Sequence, residues 1–253
     1  MVRSRTREAR GPSDSNALLE SIVRLTALAG WPQVAQQERL LANDHPEQLR
    51  WVAFAVATSN RPRLDGVLDE PMWSACPPMK LSPTNAIATD ELNLPATVRW
   101  SFDDSYLYIG MDSPRDARAI ADSTPRLRKY DSDLQAADHV HLMLDTDRDY
   151  ASAVELGVSS AGETFDRCCE LVQYNPQYAV AVPVSPSPDR WVAEVAIRLT
   201  DLTTKTAMTG QAWAVSAHRR SLNGENQSWS SMLTEQPSLQ SAGLLLFVQP
   251  PKR

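Results

Sequence analysis

The chain has 253 residues, 42% of them hydrophobic and 22% charged, which is enough apolar surface for one substantial core or two small ones. Its 25 Lys and Arg stand against 31 Asp and Glu for a net charge of −6, so the basic footprint that neutralises nucleic-acid phosphates is missing. No window approaches the roughly 18 consecutive apolar residues of a membrane helix, and the Arg-bearing start has no apolar stretch behind it; neither a membrane partner nor an export signal is expected.

Residues 1–15 carry Arg, Ser and Pro with no apolar period and read as a disordered tail. Residues 16–59 read as a helical arm of two to three helices. Leu18, Ile22, Leu25 and Ala29 share a face, Gly30 stops that helix, Pro32 opens a second, and Leu49, Val52, Ala53 and Val56 suggest a third. Gly30, Trp31, Ala35, Ala42 and Pro46 resemble the small-residue spacing of a tetratricopeptide-type hairpin over little more than one repeat. Such an arm is a candidate docking surface for a protein partner, or the remnant of a longer array.

From residue 60 to 253 the period shifts to two, and the chain reads as short strands punctuated by Pro, Asp, Asn and Ser. Strands are expected over 97–102, 106–111, 138–144, 152–159, 178–184, 190–199, 211–219 and 244–248, with a hairpin at Asp103-Asp104-Ser105 and a turn at Ala161-Gly162. With no helix-length segments between them, they predict a mainly β fold: an antiparallel β-sandwich, jelly-roll or immunoglobulin-like, behind a short N-terminal α-helical arm. Trp191, Ala193, Val195 and Ile197 are assigned to the core face, and Glu194 and Arg198 to the face that meets water.

The stretch Arg63-Leu-Asp-Gly-Val-Leu-Asp-Glu-Pro-Met-Trp73 resembles the opening of family 9 carbohydrate-binding modules and their DOMON-like relatives. Four further landmarks follow in that family's order. They are Ala96 to Trp100 with Asp103 to Ile109, Asp138 to Asp145, Trp191 to Leu199, and Gly210 to Val215 with Arg219 and Ser228-Trp229-Ser230. The resemblance implies a non-catalytic glycan-binding β-sandwich, the C-terminal part of a larger bacterial polysaccharide-related protein, located outside the cytoplasm or in the periplasm. In sugar-binding members two tryptophans clamp the terminal sugar; the corresponding stretches here, Asp133 to Ala137 and Glu235 to Gln240, contain no aromatic residue. The family's strand glutamate falls on His141 and its neighbouring arginine at about Gly157.

A sugar presents an apolar ring face to an aromatic side chain and hydroxyls to charged or amide groups. Of the seven tryptophans, Trp73, Trp100, Trp191 and Trp213 read as core, Trp31 and Trp51 as parts of the arm, and Trp229, in a polar setting, as the stacking candidate. The candidate carbohydrate contacts are therefore Trp229, His141, Asp138, His139 and Arg219. His139 and His141 share a strand face with Met143 and form half a metal site, with His218 or Asp138 as the third ligand of a metal-dependent enzyme reading. Residues 131–170 hold ten acidic side chains against two arginines. Within them Asp145, Asp147 and Asp149 alternate on a turn that either caps backbone N–H groups or holds structural calcium. No cofactor is required. Cys76, Cys168 and Cys169 read as reduced, partly buried thiols, and no nucleophile elbow, P-loop, dinucleotide or zinc motif is present. The alternative to glycan binding is a structural or protein-interaction sandwich that has lost the sugar clamp.

Overall fold

A computed structural model describes residues 19–20, 30–43, 45, 48–84, 94–115, 131–168, 174–183, 187–222, 224, 226–230 and 238–250. The expected tail and nearly all of the first expected helix lie outside these residues. Helix α1 (Trp31–Ala42) begins where Pro32 places it, directly after Gly30, whose φ of 79° only a glycine adopts without strain. The expected third helix is instead a strand. The run Val-Ala-Phe-Ala-Val-Ala is β1 (Val52–Ala57), paired in parallel with both the last strand and β3, so the sandwich starts inside the segment assigned to the arm.

Eleven further strands follow: β2 (Met79–Pro83), β3 (Ala96–Phe102), β4 (Tyr106–Pro114), β5 (His139–Asp145), β6 (Val154–Ser159), β7 (Thr164–Cys168), β8 (Tyr178–Ala181), β9 (Arg190–Arg198), β10 (Ala212–Arg220), β11 (Gln227–Ser228) and β12 (Gly243–Val248). Two short helices, α2 (Pro71–Ala75) and α3 (Leu199–Leu202), flank them. One layer runs β7-β6-β5-β10 and the other β3-β4-β9-β8, all antiparallel. The layers are laced twice, through β12 and β1 on one route and through β11 and β2 on the other.

Alternation along the strands fills the interior from both sides: Val140, Leu142 and Leu144 of β5 and Leu107, Ile109 and Met111 of β4 belong to one buried cluster. Trp213 and Phe247 of the same cluster pack with ring centroids 4.7 Å apart. Trp100 and Trp191 lie in this core as expected, whereas Trp73 is buried in a satellite cluster outside the sheet with Tyr108 and Ala196. Among the described residues no helix is long and apolar enough to cross a membrane.

Two of the sequence landmarks are explained by one carboxylate. Glu194, expected to face water, is wholly buried. Its Oε2 accepts the N–H groups of Asp65 and Gly66, and its Oε1 accepts the Trp73 indole N–H at 3.0 Å. Burial pushes the Glu194 carboxyl up from its ordinary value, and these donors oppose the rise. The turn approaches closely: a Cβ on Gly66 would stand 2.3 Å from the Pro183 nitrogen, and the φ of Gly66 is +81°. The Leu-Asp-Gly opening and the Trp-x-x-Glu strand thus meet as a structural lock.

Candidate functional site

The outer surface of β10, β5, β6 and β7 is set by register. His218, His141, Gly157 and Phe165 lie opposite one another in a row across the four strands, and Ser216, Met143, Glu155 and Arg167 form the next row. A glycine in the middle of a strand weakens it, so its place here calls for a close approach. The Phe165 ring supplies that approach: a Cβ on Gly157 would be 2.1 Å from Phe165 Cε1. The half-buried ring lies over β6, with the His141 imidazole edge-on to it at a centroid distance of 5.1 Å.

Beside the ring sits a compact charged group. Glu155 Oε2 lies 2.8 Å from His141 Nε2 and accepts a hydrogen bond from Arg167 Nη2, also at 2.8 Å. Burial alone would raise the Glu155 carboxyl, but hydrogen bonds from His141 and Arg167 outweigh it and hold the group below its ordinary value. The result is an aromatic surface bordered by an imidazole, a carboxylate and a guanidinium, with Arg167 reaching into solvent.

The five expected carbohydrate contacts divide sharply. His141 belongs to this group. His139 is buried, with its Nδ1 at 2.8 Å from the Ala137 carbonyl oxygen, and burial holds its imidazole below the ordinary histidine range. Asp138 and Arg219 are corrected from surface contacts to a buried ion pair, their side chains 0% and 3% exposed. Arg219 Nε and Nη2 donate to the two oxygens of Asp138 at 3.0 and 2.9 Å, Trp191 Nε1 donates to the same carboxylate, and Arg219 also reaches the Pro114 carbonyl. Three family landmarks therefore converge on one bonded cluster with no surface left for a ligand. Trp229 is likewise corrected: it is 5% exposed, packed over Gly243 and T-shaped against Trp51 at 6.3 Å. Trp51, assigned to the arm, belongs with the sandwich core.

His139 and His141 belong, among the described residues, to no group of three ligating side chains. Among the described residues the one trio of ligating atoms within 4.8 Å is Asp145, Asp147 and Asp149. Asp145 accepts the N–H groups of Arg148 and Tyr150, Asp147 accepts that of Asp149, and Asp149 accepts those of Ala151 and Ser152. Burial, with Asp147 and Asp149 adding to it, pushes the Asp145 carboxyl up to about 7. Three hard oxygen donors crowded in this way suit a calcium ion by chemistry, while the N–H bonds account for their geometry without one. His218 is buried, its Nε2 2.6 Å from Ser216 Oγ, and burial pushes its imidazole down to about 4. Cys76 is a buried thiol raised by burial to about 11; Cys169 lies outside the described residues.

Phe165, Glu155 and Arg167 are not singled out by sequence reasoning. The signal was present in the hairpin: about the Ala161-Gly162 turn, Glu155 and Gly157 mirror Arg167 and Phe165, so one register sets both pairs.

The fold is a two-layer β-sandwich, similar in its layers to solved carbohydrate-binding modules of family 9. No family model matches the chain, and no curated protein does. Among solved structures, a family 9 carbohydrate-binding module from Caldicellulosiruptor kristjanssonii in complex with cellotriose is similar at a TM-score of 0.55 and 13% identity, over 78% of this chain and 94% of that one. The same organism's module in complex with glucose is similar at 0.54 and 12%, over 80% and 98%. At such identities the likeness establishes the fold.

Proposed function

We propose that the chain is a non-catalytic module that binds glycan on the outer face of β5, β6 and β7. Phe165 is the stacking ring, and His141, Glu155 and Arg167 meet the sugar hydroxyls. The observation that carries the reading is the half-buried Phe165 ring laid over Gly157 beside a charge-paired carboxylate. An apolar sugar face gains from burying an aromatic ring, and a pre-bonded Glu–Arg–His group offers oriented donors and acceptors without having to be ordered on binding. The solved neighbours named for cellotriose and glucose make neutral β-linked glucose oligomers the first ligands to test.

In calorimetric titration, wild type binds a neutral oligosaccharide, and Phe165→Ala weakens it about tenfold, matching the roughly 1.5 kcal/mol upper range of an aromatic contact. An affinity untouched by Phe165→Ala, or no heat across a panel of neutral glycans, contradicts the reading. A protein-interaction sandwich is the second reading, favoured by one observation: the stretch Asp133 to Ala137, which corresponds to a clamp position of the sugar-binding members, carries no aromatic side chain. Membership of a larger polysaccharide-acting polypeptide, action outside the cytoplasm and calcium on the Asp145 turn complete the proposal. The genomic sequence around the coding region tests the first two, and calcium-dependent melting tests the third.

A further inference from the structure

On the opposite side of the sandwich a cleft of about 340 Å³ opens on the outer surface of β4, β9 and β8. Register builds its floor. Tyr106 faces Arg198 and Tyr108 faces Ala196 across β4 and β9, and Ala179 of β8 faces Ala196. Two alanines in adjacent strands leave the space that larger residues would fill. One wall comes from the segment leading to α2, with Arg61, Pro62 and Leu64; the other comes from Gln177.

The charged side chains of its lining are both basic, Arg61 and Arg198. Arg61 lies over the Tyr106 ring, 5.1 Å from its centroid, and is paired with Asp103 at 3.0 Å. Arg198 is exposed, and its Nη1 donates to the neutral side-chain oxygen of Gln177. Arg61 and Arg198 are thus the charged side chains of the lining, with Asp103 paired to the first and Asp201 Oδ2 accepting the Gln177 backbone N–H at 2.7 Å near the second. The volume lies at the lower end of small-molecule sites, roughly 300–1,000 Å³, which suits one or two sugar rings.

We infer that this cleft is a second ligand site, for a sugar ring carrying a carboxylate, that is, a uronic acid unit. The carboxylate takes the Arg198 fork in place of the Gln177 amide, an exchange of a neutral for a charge-assisted bond. The ring lies on the Ala179, Ala196 and Leu64 surface, and the Gln177 amide released by the exchange and the Tyr106 hydroxyl face its hydroxyls. An inorganic anion makes no use of that apolar floor, and an uncharged sugar makes none of the guanidinium. The inference is independent of the Phe165 surface, which lies on the other layer.

The test is a calorimetric titration of the full chain with a galacturonate oligomer, its neutral galactose counterpart and inorganic phosphate. The uronate binds, at least about tenfold more tightly than the neutral oligomer, and loses affinity as salt is raised. Arg198→Gln and Ala179→Trp each weaken it about tenfold or more, one by removing the charge and the other by filling the cleft, while Phe165→Ala leaves it unchanged. Both substituted positions are exposed, so the fold tolerates the changes. Equal binding of the neutral oligomer, equal binding of phosphate, no uronate binding, or loss in Phe165→Ala with retention in Arg198→Gln each overturns the proposal.

Discussion

Asp138 and Arg219 are of the residue types that bind sugars, and the same types form buried ion pairs; only their separation in space distinguishes the two uses. Here Asp138 takes two bonds from Arg219 and one from Trp191 with no exposed surface. Removing one partner leaves an uncompensated charge, so Asp138→Asn lowers the unfolding free energy by about 3–5 kcal/mol in urea denaturation. A change near zero would return the pair to the surface. His218 makes a second prediction. Its imidazole is held at about 4 against an ordinary 6.5, so the neutral form contributes stability that is complete above 6.5 and is lost as the pH falls towards 4. His218→Gln flattens the stability profile across that window, read as the difference between wild type and variant at each pH. Asp145 titrates in the opposite sense between 3.8 and about 7, losing stability as pH rises, and cancels in that difference. Parallel profiles would contradict the assignment. The landmark residues were legible in the sequence; their roles were not, because burial of a polar group is decided by partners far along the chain.

At the scale of elements, strand period and turn residues marked eight strands, and the Asp103 hairpin forms as its side chain suggests, with Oδ1 accepting the N–H groups of Ser105 and Tyr106. The short strands β2, β7 and β11 were left unmarked, and β1 was assigned to a helix. A continuous apolar run satisfies helix and strand spacing alike, and the parallel pairing with β12 and β3 that decides between them lies more than 40 residues away in sequence. Helix α1 was legible from Gly30 and Pro32, but not its seat. Glu38 accepts from Arg148 Nε and Tyr150 Oη, which fastens the helix to the Asp145 turn, and Gln37 Nε2 donates to the Ala242 carbonyl at the entry to β12. That turn carries its own prediction. If calcium is held with a dissociation constant of about 10⁻⁴–10⁻³ M, about 10 mM of it adds roughly 1–3 kcal/mol of stability at pH 8, and Asp147→Asn abolishes the gain. An unchanged melting temperature assigns the three carboxylates to capping alone.

Across the whole molecule, two layers laced by β12 with β1 and by β11 with β2 leave two broad outer surfaces. The sandwich itself was readable because each landmark serves the scaffold: Glu194 locks Asp65, Gly66 and Trp73, and Asp138 gathers Arg219 and Trp191. The recognition surface was not, since Phe165, Glu155 and Arg167 meet His141 only after three strands have paired. Amide chemical-shift mapping with a neutral β-linked glucose oligomer tests the glycan reading most directly. The account predicts shifts centred on His141, Gly157, Phe165 and Arg167. Shifts centred anywhere else on the sandwich, or a spectrum unmoved at millimolar sugar, would contradict it.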